Sequence, residues 1–252
     1  MTDMFENIIK KGSPEEKLFN KIDKKNIPIH ISIIMDGNGR WAKKRNMSRI
    51  SGHKEGAKSA RKISEYAARL GIKYLTLFTF SSENWNRPVK EVNTLMKMLY
   101  ENLVQHKDLL TENGIKLTVI GDMKKLPKKL MTKINETTDM SKKYEKMTLC
   151  LALNYGSRSE IIDAVKKIIK DKVKGSEINE KSFNKYLYTY NIPDPDLMIR
   201  TSGEKRISNF LLYQMAYTEL FFSEELWPDF GMKEFLTAIL AFQNRNRRYG
   251  KI

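Results

Sequence analysis

The chain has 252 residues, of which 40% are hydrophobic and 30% charged, and it carries a formal net charge of +16. This length and composition exclude a disordered tail and predict a folded protein with a substantial hydrophobic core. The single cysteine, Cys150, excludes an intramolecular disulfide framework, and the three histidines are too scattered for a structural zinc site.

The charge and the N-terminal sequence restrict the location and the partners of the protein. No run approaches the roughly 18–20 apolar residues of a membrane helix, and MTDMFENIIKKGSPEEK lacks the apolar stretch of a signal peptide. We therefore expect a cytoplasmic protein. The positive charge favours anionic partners, namely nucleic acid, phosphorylated metabolites or an acidic membrane surface. A solvated surface rich in lysine is equally compatible with 34 Lys against 12 Arg.

In chain order, residues 1–27 are polar and predict an N-terminal arm or helix before a domain over 28–252. Apolar, β-branched runs predict strands at 29–35, 74–80, 115–120 and 147–153, followed by short strands within DLMIRTSG and ELFFSE. Helical periodicity and capping signals predict helices at 54–70, 91–112 and 126–144, and a further helix that begins with Ser157 and Ser159 as capping residues.

Strands that alternate with helices, each a nearly continuous apolar run, are typical of a parallel sheet covered on both faces. We therefore predict an α/β fold: a single domain with a central, mostly parallel β-sheet of about six strands flanked by helices. In such sheets ligands bind outside the carboxyl ends of the strands. The loops that follow the strands are consequently the places where chemistry is expected.

The first of these loops reads MDGNGRW and contains Asp36, Gly37 and Gly39. Asp-Gly and Asn-Gly are hairpin signals, but the helical pattern that follows favours a loop whose amides close around a phosphate. The sequence is not a Walker A loop, and it lacks the third glycine of a dinucleotide loop. A carboxylate such as Asp36 beside an anion site indicates a bound Mg²⁺, which takes oxygen ligands from protein and phosphate together.

Two further loops carry polar side chains. SSENWNRP, from Ser81 to Pro88, is either a polar turn that caps the next helix or a mobile lid. In the loop after the fifth strand, Arg200, Arg206 and Ser208 make a good diphosphate clamp, because each guanidinium can bond two oxygens at once. Surface ion pairs are the alternative. Glu219, which opens ELFF, is expected to reach the same rim, although such a residue is more often a surface or capping residue.

Four segments occur in a characteristic order from about residue 29 to the C-terminus: MDGNGRWAK, SGHKEGAKS, TFSSENWNRP and IRTSGEKRISNFLLYQMAYTELFF with WPDF after it. In these segments the sequence resembles the cis-prenyltransferase family, specifically its bacterial undecaprenyl diphosphate synthases. The resemblance implies the condensation of an allylic diphosphate, usually farnesyl diphosphate, with successive isopentenyl diphosphates. Such a product is the precursor of the lipid carrier of cell-wall (peptidoglycan) synthesis. It also implies Mg²⁺, a homodimer, peripheral membrane contact for product release, and no nucleic acid.

The resemblance also implies roles for individual residues. Asp36 would hold Mg²⁺ at the allylic diphosphate, and Glu219 would be a second metal-associated carboxylate. Asn84 matches the position assigned to proton acceptance, but a neutral amide is not a base near pH 7, so it would orient a water or the diphosphate. The substrate-binding positions are Gly37, Asn38, Gly39, Arg40, Trp41, Arg49, His53, Ser81, Ser82, Glu83, Trp85, Arg87, Arg200, Arg206, Ile207 and Ser208. The Arg248-Tyr249-Gly250 segment resembles a C-terminal motif that reaches a neighbouring subunit.

The product tail requires an apolar cleft, for which we expect the 92–110 helix face and the fourth strand to supply the lining. Thr79 and Met147 occupy positions that face this cleft in the family, and ordinary core packing is the alternative for both. A basic nucleic-acid-binding module is a different class of function, but it would carry arginines and aromatics along one groove. A non-catalytic partner subunit is disfavoured by the presence of Asp36, Asn84 and both clamp arginines.

Overall fold

A computed structural model describes Phe5 and residues 8–245. Its centre is a six-stranded sheet in the order β3-β4-β2-β1-β5-β6, and every described strand pairing is parallel. The strands are β1 (His30–Ile34), β2 (Tyr74–Ser81), β3 (Ile115–Ile120), β4 (Met147–Tyr155), β5 (Leu197–Arg200) and β6 (Glu219–Phe222). The predicted fold class is therefore confirmed.

Helices cover both faces of this sheet, as the connections between parallel strands require. They are α1 (Pro14–Phe19), α2 (Asn38–Lys44), α3 (Arg49–Leu70), α4 (Val89–Gln105), α5 (Lys107–Asn113), α6 (Lys128–Ser141), α7 (Ser157–Lys170), α8 (Glu180–Asn184) and α9 (Met232–Gln243). Short 3₁₀ turns lie at Ser82–Asn86, Met123–Lys125, Gly175–Glu177 and Trp227–Asp229. Among the described residues, no helix is both long enough and apolar enough to cross a bilayer.

Three helix predictions need correction. The expected helix over 91–112 is interrupted at His106, whose φ of −112° and ψ of 35° separate α4 from α5. The MDGNGRW loop turns into helix α2 at Asn38, and α3 begins at Arg49 rather than at residue 54. Ser157 does not cap α7; its Oγ accepts the Leu212 amide at 3.0 Å instead.

The core lies on both faces of the sheet, because helices cover both. Ile31, Ile33 and Leu75 are fully buried, and each such side chain contributes roughly 1.5–3 kcal/mol through the apolar surface that it removes from water. Close packing of α2 on α3 depends on glycine: a Cβ at Gly56 would lie 2.2 Å from Oδ1 of Asn38. This contact fixes the start of α2 beside the carboxyl end of β1.

The N-terminal segment packs onto the last helix. Nε2 of Gln243, at the end of α9, donates to the carbonyls of Asp23 at 2.7 Å and Asn26 at 2.9 Å. The rings of Phe5 and Phe19 meet edge to face with their centroids 5.1 Å apart. The described part of the predicted arm is therefore attached to the side of the sheet that α9 covers.

Candidate active site

The predicted loops meet at the carboxyl edge of the sheet because the strands are parallel and in register. Ile34, the last residue of β1, pairs with Arg200, the last residue of β5. Asp36 follows β1 by two residues, and Asn84 follows the end of β2 by three. Side chains that are far apart in the sequence therefore share one edge.

Among the described residues that line the cavity at this edge, Asp36 is the only carboxylate. Its Oδ2 accepts from Nη2 of Arg200 at 3.0 Å, and its Oδ1 accepts from the Gly37 amide at 2.7 Å and lies 3.4 Å from Nη2 of Arg40. Burial by itself raises the pKa of Asp36, but the hydrogen bond and charge of Arg200, with Arg40 and the Gly37 amide, outweigh it and hold this pKa below its usual value. Asp36 is thus ionised at neutral pH.

The turn after Asp36 requires glycine. Gly37 has φ +107°, and a Cβ there would come within 3.0 Å of Ser202 and Leu226. Neither the conformation nor the space tolerates a side chain. The turn brings the first residues of α2, Asn38 and Gly39, to the cavity wall.

Arg200 is almost enclosed, with a side chain 4% exposed. Its Nη1 donates to Oγ of Ser208 at 2.7 Å and to the carbonyl of Arg206, so it ties the following loop to the sheet. Arg40 is held from the same loop: it donates to the Ser202 carbonyl at 3.1 Å and to the Ser202 Oγ at 2.6 Å. The two guanidinium groups consequently contact different oxygens of Asp36, and Arg40 also pairs with Glu204 at 3.0 Å.

A second cationic group surrounds Glu91 at the start of α4. Its Oε1 lies 3.2 Å from Nε of Arg49, 3.1 Å from Nη1 of Arg87 and 3.7 Å from Nε2 of His53. Burial, followed by the positive charge of Arg87, lowers the pKa of His53 to about 4, although Glu91 opposes the shift. His53 is therefore neutral at pH 7, and the group carries two positive charges and one negative charge.

The loop after β2 is a 3₁₀ turn fixed by side chains. Oδ1 of Asn84 accepts the Ser81 amide at 3.1 Å, Trp85 donates to Oδ1 of Asn154 at 2.7 Å, and Asn209 donates to Glu83 at 2.8 Å. Ser82 contacts the Gly156 backbone, since a Cβ at that glycine would lie 2.5 Å from its Oγ. These bonds hold the loop against β4 and the Arg200 loop. Lid motion stays a prediction.

A cavity of about 410 Å³ joins these groups to the interior. Its mouth is formed by Asp36, Gly37, Asn38, Gly39, Arg49, His53, Ser81, Asn84, Arg87 and Arg200. Its deeper walls come from α3, α4, α5 and the sheet, and they include Leu95, Met96, Leu99, Leu103, Leu109, Leu110, Leu117, Leu149 and Leu151. The expected lining by the 92–110 segment and the fourth strand is found, and Thr79 lies in it as predicted.

Three buried polar atoms of mouth residues have no hydrogen-bond partner among the described residues: Asn38 Oδ1, His53 Nε2 and Arg200 Nε. Buried polar groups are nearly always satisfied, so these atoms indicate that a polar ligand completes the mouth. The described residues contain no cluster of three His, Cys, Asp or Glu side chains that could hold a metal. An ionised Asp36 nevertheless fits Mg²⁺, which commonly uses one or two carboxylates together with substrate phosphates.

Several predicted residues lie outside the cavity lining. Trp41 donates through Nε1 to Asp229 at 2.7 Å and stacks under Arg45, so it fastens α2 to the Trp227–Asp229 turn. Arg206 is exposed and pairs with Glu204. The others outside the lining are Arg40, Ser82, Glu83, Trp85, Ile207, Ser208 and Glu219.

The expectation that Glu219 reaches the rim of Asp36 is wrong within one chain. Glu219 opens β6 and pairs in register with Leu197, three residues before the carboxyl end of β5. About 10 Å of strand therefore separate it from that edge. Its carboxylate pairs with Arg245 instead. A metal-associated role for Glu219 stays a prediction, and it does not involve Asp36 of the same chain.

Met147 also differs from its expected place. It is 1% exposed and opens β4 on the same face as Leu149, but only Leu149 lines the cavity. Met147 thus lies beneath the cavity floor rather than in it. The Arg248-Tyr249-Gly250 motif lies outside the described residues.

Sequence reasoning missed Glu91, Arg61 and His106. Glu91 follows Arg87 by four residues on the first turn of α4, a spacing typical of helix ion pairs that could have revealed it. Arg61 and His106 line the deep part of the cavity, and they come together only through the packing of α3 against the α4–α5 junction. No local sequence pattern predicts that contact.

The fold and this site can be compared with known proteins. A sequence model of the family described as putative undecaprenyl diphosphate synthase matches residues 34–250, which is most of the chain and includes every predicted site residue. The protein is therefore a cis-prenyltransferase. It belongs to the undecaprenyl diphosphate synthase family, as its sequence motifs predicted.

Individual relatives are similar to this chain over nearly their whole length. An isoprenyl transferase of Fusobacterium nucleatum is 53% identical over 229 residues, covering 90% of this chain and 98% of that protein. The ditrans,polycis-undecaprenyl-diphosphate synthase of Micrococcus luteus, named as (2E,6E)-farnesyl-diphosphate specific, is 48% identical and covers 92% of this chain and 94% of its own. The solved structure of lavandulyl diphosphate synthase from Lavandula x intermedia, with dimethylallyl diphosphate, has a TM-score of 0.87 at 36% identity and covers 90% of this chain and 100% of that one.

Proposed function

We propose that this protein condenses farnesyl diphosphate, or another allylic diphosphate, with successive isopentenyl diphosphates to make a long-chain cis-polyprenyl diphosphate of the undecaprenyl type. One observation carries the proposal: a single cavity begins at Asp36 and several cationic groups and ends among buried leucines. A ligand with a diphosphate head and a hydrocarbon tail has the matching distribution of polarity. The name of the Micrococcus luteus relative supports farnesyl diphosphate as the starter.

The size of the cavity admits a starter of this kind. At about 10–15 Å³ for each water-sized group, the 410 Å³ cavity holds on the order of 30 such groups. Farnesyl diphosphate, with its 15 carbon atoms and its diphosphate, fits in this space. A tail of several times that length does not, so a long product requires additional space.

The chemistry follows from the charge that develops at the mouth. When the allylic carbon–oxygen bond ionises, negative charge accumulates on the departing diphosphate. Arg200 and Arg40, already aimed at this point by Ser208 and Ser202, would donate to its oxygens. Asp36 would hold Mg²⁺ there, and the ion would supply neutralisation of the leaving group. The double bond of isopentenyl diphosphate then attacks the cationic carbon, and a proton is lost from the condensed chain.

Asn84 would serve as a positioning group in the proton transfer. Its Oδ1 is engaged by the Ser81 amide at 3.1 Å, so its Nδ2 is the group that would donate to a ligand in the mouth. Since an amide cannot accept the proton near pH 7, the base is a diphosphate oxygen or a water that Asn84 orients. Arg206, with its exposed guanidinium, would bind isopentenyl diphosphate together with Ser208.

The test is incubation with farnesyl diphosphate and isotopically labelled isopentenyl diphosphate, with Mg²⁺ or with a chelator. Labelled lipid that forms only with Mg²⁺ supports the proposal, and absence of labelled lipid under all conditions contradicts it. The nucleic-acid alternative predicts binding to RNA with a steep salt dependence, but the apolar lining gives it no support. The cytoplasmic location, homodimeric state, membrane contact and cell-wall role stay predictions.

A further inference from the structure

A charged group interrupts the apolar wall of the cavity at its deep end. Arg61 of α3 donates to Oδ1 of Asp108 at 3.3 Å, makes a closer bond to Oδ2 and contacts Nδ1 of His106. Arg61 and His106 both line the cavity. The proposed reaction has no use for a cation at this point, because the cavity there receives hydrocarbon.

The position of this group follows from helix geometry. Arg61 lies 12 residues beyond Arg49 on α3, and a rise of 1.5 Å per residue places it about 18 Å farther from the mouth. On α4, His106 follows Glu91 by 15 residues, or about 22 Å. The diphosphate mouth and the Arg61–Asp108 pair therefore mark opposite ends of the cavity.

The wall around the pair differs from the rest of the deep end. Leu109, Leu110 and Leu149 are 5–7% exposed, so displacing them would open voids in a packed core, which is costly. The side chains of Arg61 and Asp108 are 32% and 43% exposed, and a partly exposed ion pair separates at little cost. The helix is also interrupted between α4 and α5 at His106, so the two segments can shift without breaking a continuous helix.

We propose that the Arg61–Asp108 pair is a specificity-determining gate, through which a product tail that has outgrown the cavity leaves between α3 and the α4–α5 junction. The inference rests on the proposed function, since it requires a tail that grows. The closed pair confines a short tail to the cavity. Once the pair has separated, the tail passes between α3 and the α4–α5 junction, and later isoprene units need no further opening. The gate thus sets how often short products are released before elongation continues.

The test compares the products that Asp108→Asn and the wild type make from farnesyl diphosphate and limiting isopentenyl diphosphate, measured by mass spectrometry. Asp108→Asn removes the charge but keeps the shape. We expect the fraction of released products of 20–25 carbons to fall at least threefold, with the single-turnover rate of the first condensation unchanged. The matched control is Glu55→Gln, which breaks an exposed ion pair to Lys58 (2.7 Å) on the same helix, outside the cavity lining.

A charge exchange, Arg61→Asp with Asp108→Arg, re-forms the pair and is expected to restore the wild-type distribution. Thermal unfolding of each variant checks that the fold is retained. The gate is contradicted if Asp108→Asn leaves the distribution unchanged, or if Glu55→Gln shifts it equally. If the wild-type protein forms no elongated product, the proposed function is refuted and the gate with it. This result differs from a failure of the gate alone, in which the wild type and Asp108→Asn make the same elongated products.

Discussion

Nη2 of Arg200 lies 3.0 Å from Oδ2 of Asp36, and this bond joins the loop after β1 to the last residue of β5. Each residue is the principal charge partner of the other, and Arg200 has almost no access to solvent. A metal that binds Asp36 must therefore share this carboxylate with a buried guanidinium, and a diphosphate that binds Arg200 must share the guanidinium with the carboxylate. The Asp36–Arg200 pair is therefore expected to contribute both to ligand binding and to the stability of the fold.

We predict that Asp36→Ala and Asp36→Asn both lose condensing activity, by roughly a thousandfold or more, because a metal ligand at a developing anion is removed. The alanine variant is also expected to lose about 1–3 kcal/mol of unfolding free energy, since buried Arg200 is left without a counter-charge. Asn keeps a hydrogen-bond acceptor and should lose less. Turnover and denaturant unfolding measure the two effects separately. Near-normal turnover of folded Asp36→Asn would refute the assigned role.

The two clamp arginines are expected to behave differently. Arg206 is exposed, so Arg206→Ala should raise the KM for isopentenyl diphosphate 10-fold to 100-fold, about 1.5–3 kcal/mol, without changing thermal stability. Arg200→Ala should lower stability and affect both substrates, because Arg200 holds Asp36 and the loop at Ser208. Steady-state kinetics with each substrate varied in turn distinguish these cases. Equal effects of Arg206→Ala on both KM values would show that the assignment of the two diphosphate sites is wrong.

Much of this fold could be predicted from the sequence because the central strands β1, β4 and β5 are almost fully buried and read as nearly continuous apolar runs. Helix α2 was missed because its Asn-Gly start is a poor helix former. It is stabilised by close packing on Gly52 and Gly56 of α3, a tertiary contact. The interruption at His106 was missed because Leu103, Leu109 and Leu110 keep an apolar face through it.

The prediction of the candidate site was correct for residues that follow the ends of strands. It was wrong for Glu219, whose position depends on the direction of its strand. Asp36 and Arg200 end neighbouring parallel strands, so the rule for carboxyl edges places them together. Glu219 opens its strand, and a residue that opens a parallel strand lies at the opposite edge. The cation group around Glu91 depends on how α3 and α4 pack, which no local pattern reveals.

Stability should fall on acidification because of His30. This residue is 2% exposed, and its ring nitrogens bond the Pro193 carbonyl at 2.6 Å and Oγ1 of Thr76 at 2.8 Å. Burial lowers the pKa of His30 to about 4 from 6.5, against the opposing effect of the Pro193 bond. As the pH falls, the unfolded chain therefore binds a proton at this histidine before the folded protein does. The free energy of unfolding decreases by up to about 3 kcal/mol between pH 6.5 and pH 4.

Denaturant unfolding across this pH range is the measurement. His30→Gln should be less stable at pH 7 but should show a shallower loss between pH 6.5 and pH 4. The loss will not vanish, because burial also lowers the pKa of His53 to about 4. An identical slope in His30→Gln and the wild type would exclude His30 as a source of the acid sensitivity.

Product length should respond to residues that line the cavity. Thr79→Leu fills space near the mouth side of the sheet and is expected to shift the products downward by at least one isoprene unit. Leu149→Ala enlarges the deep end and should shift them upward, since each additional buried CH₂ contributes about 0.8 kcal/mol. Met147→Ala should have a smaller effect than Leu149→Ala, because Met147 lies beneath the lining. Unchanged lengths in folded, active Thr79→Leu and Leu149→Ala would show that the cavity walls do not influence when a product is released.

We propose that the protein binds a diphosphate at Asp36 and repeatedly extends the tail that enters one cavity. Mass spectrometry of the lipid that the wild-type protein makes from farnesyl diphosphate and ¹³C-labelled isopentenyl diphosphate tests this. We expect a ladder of polyprenyl diphosphates separated by five labelled carbons and extending far beyond the starter. A single condensation product, or only branched products formed without successive addition, would contradict it.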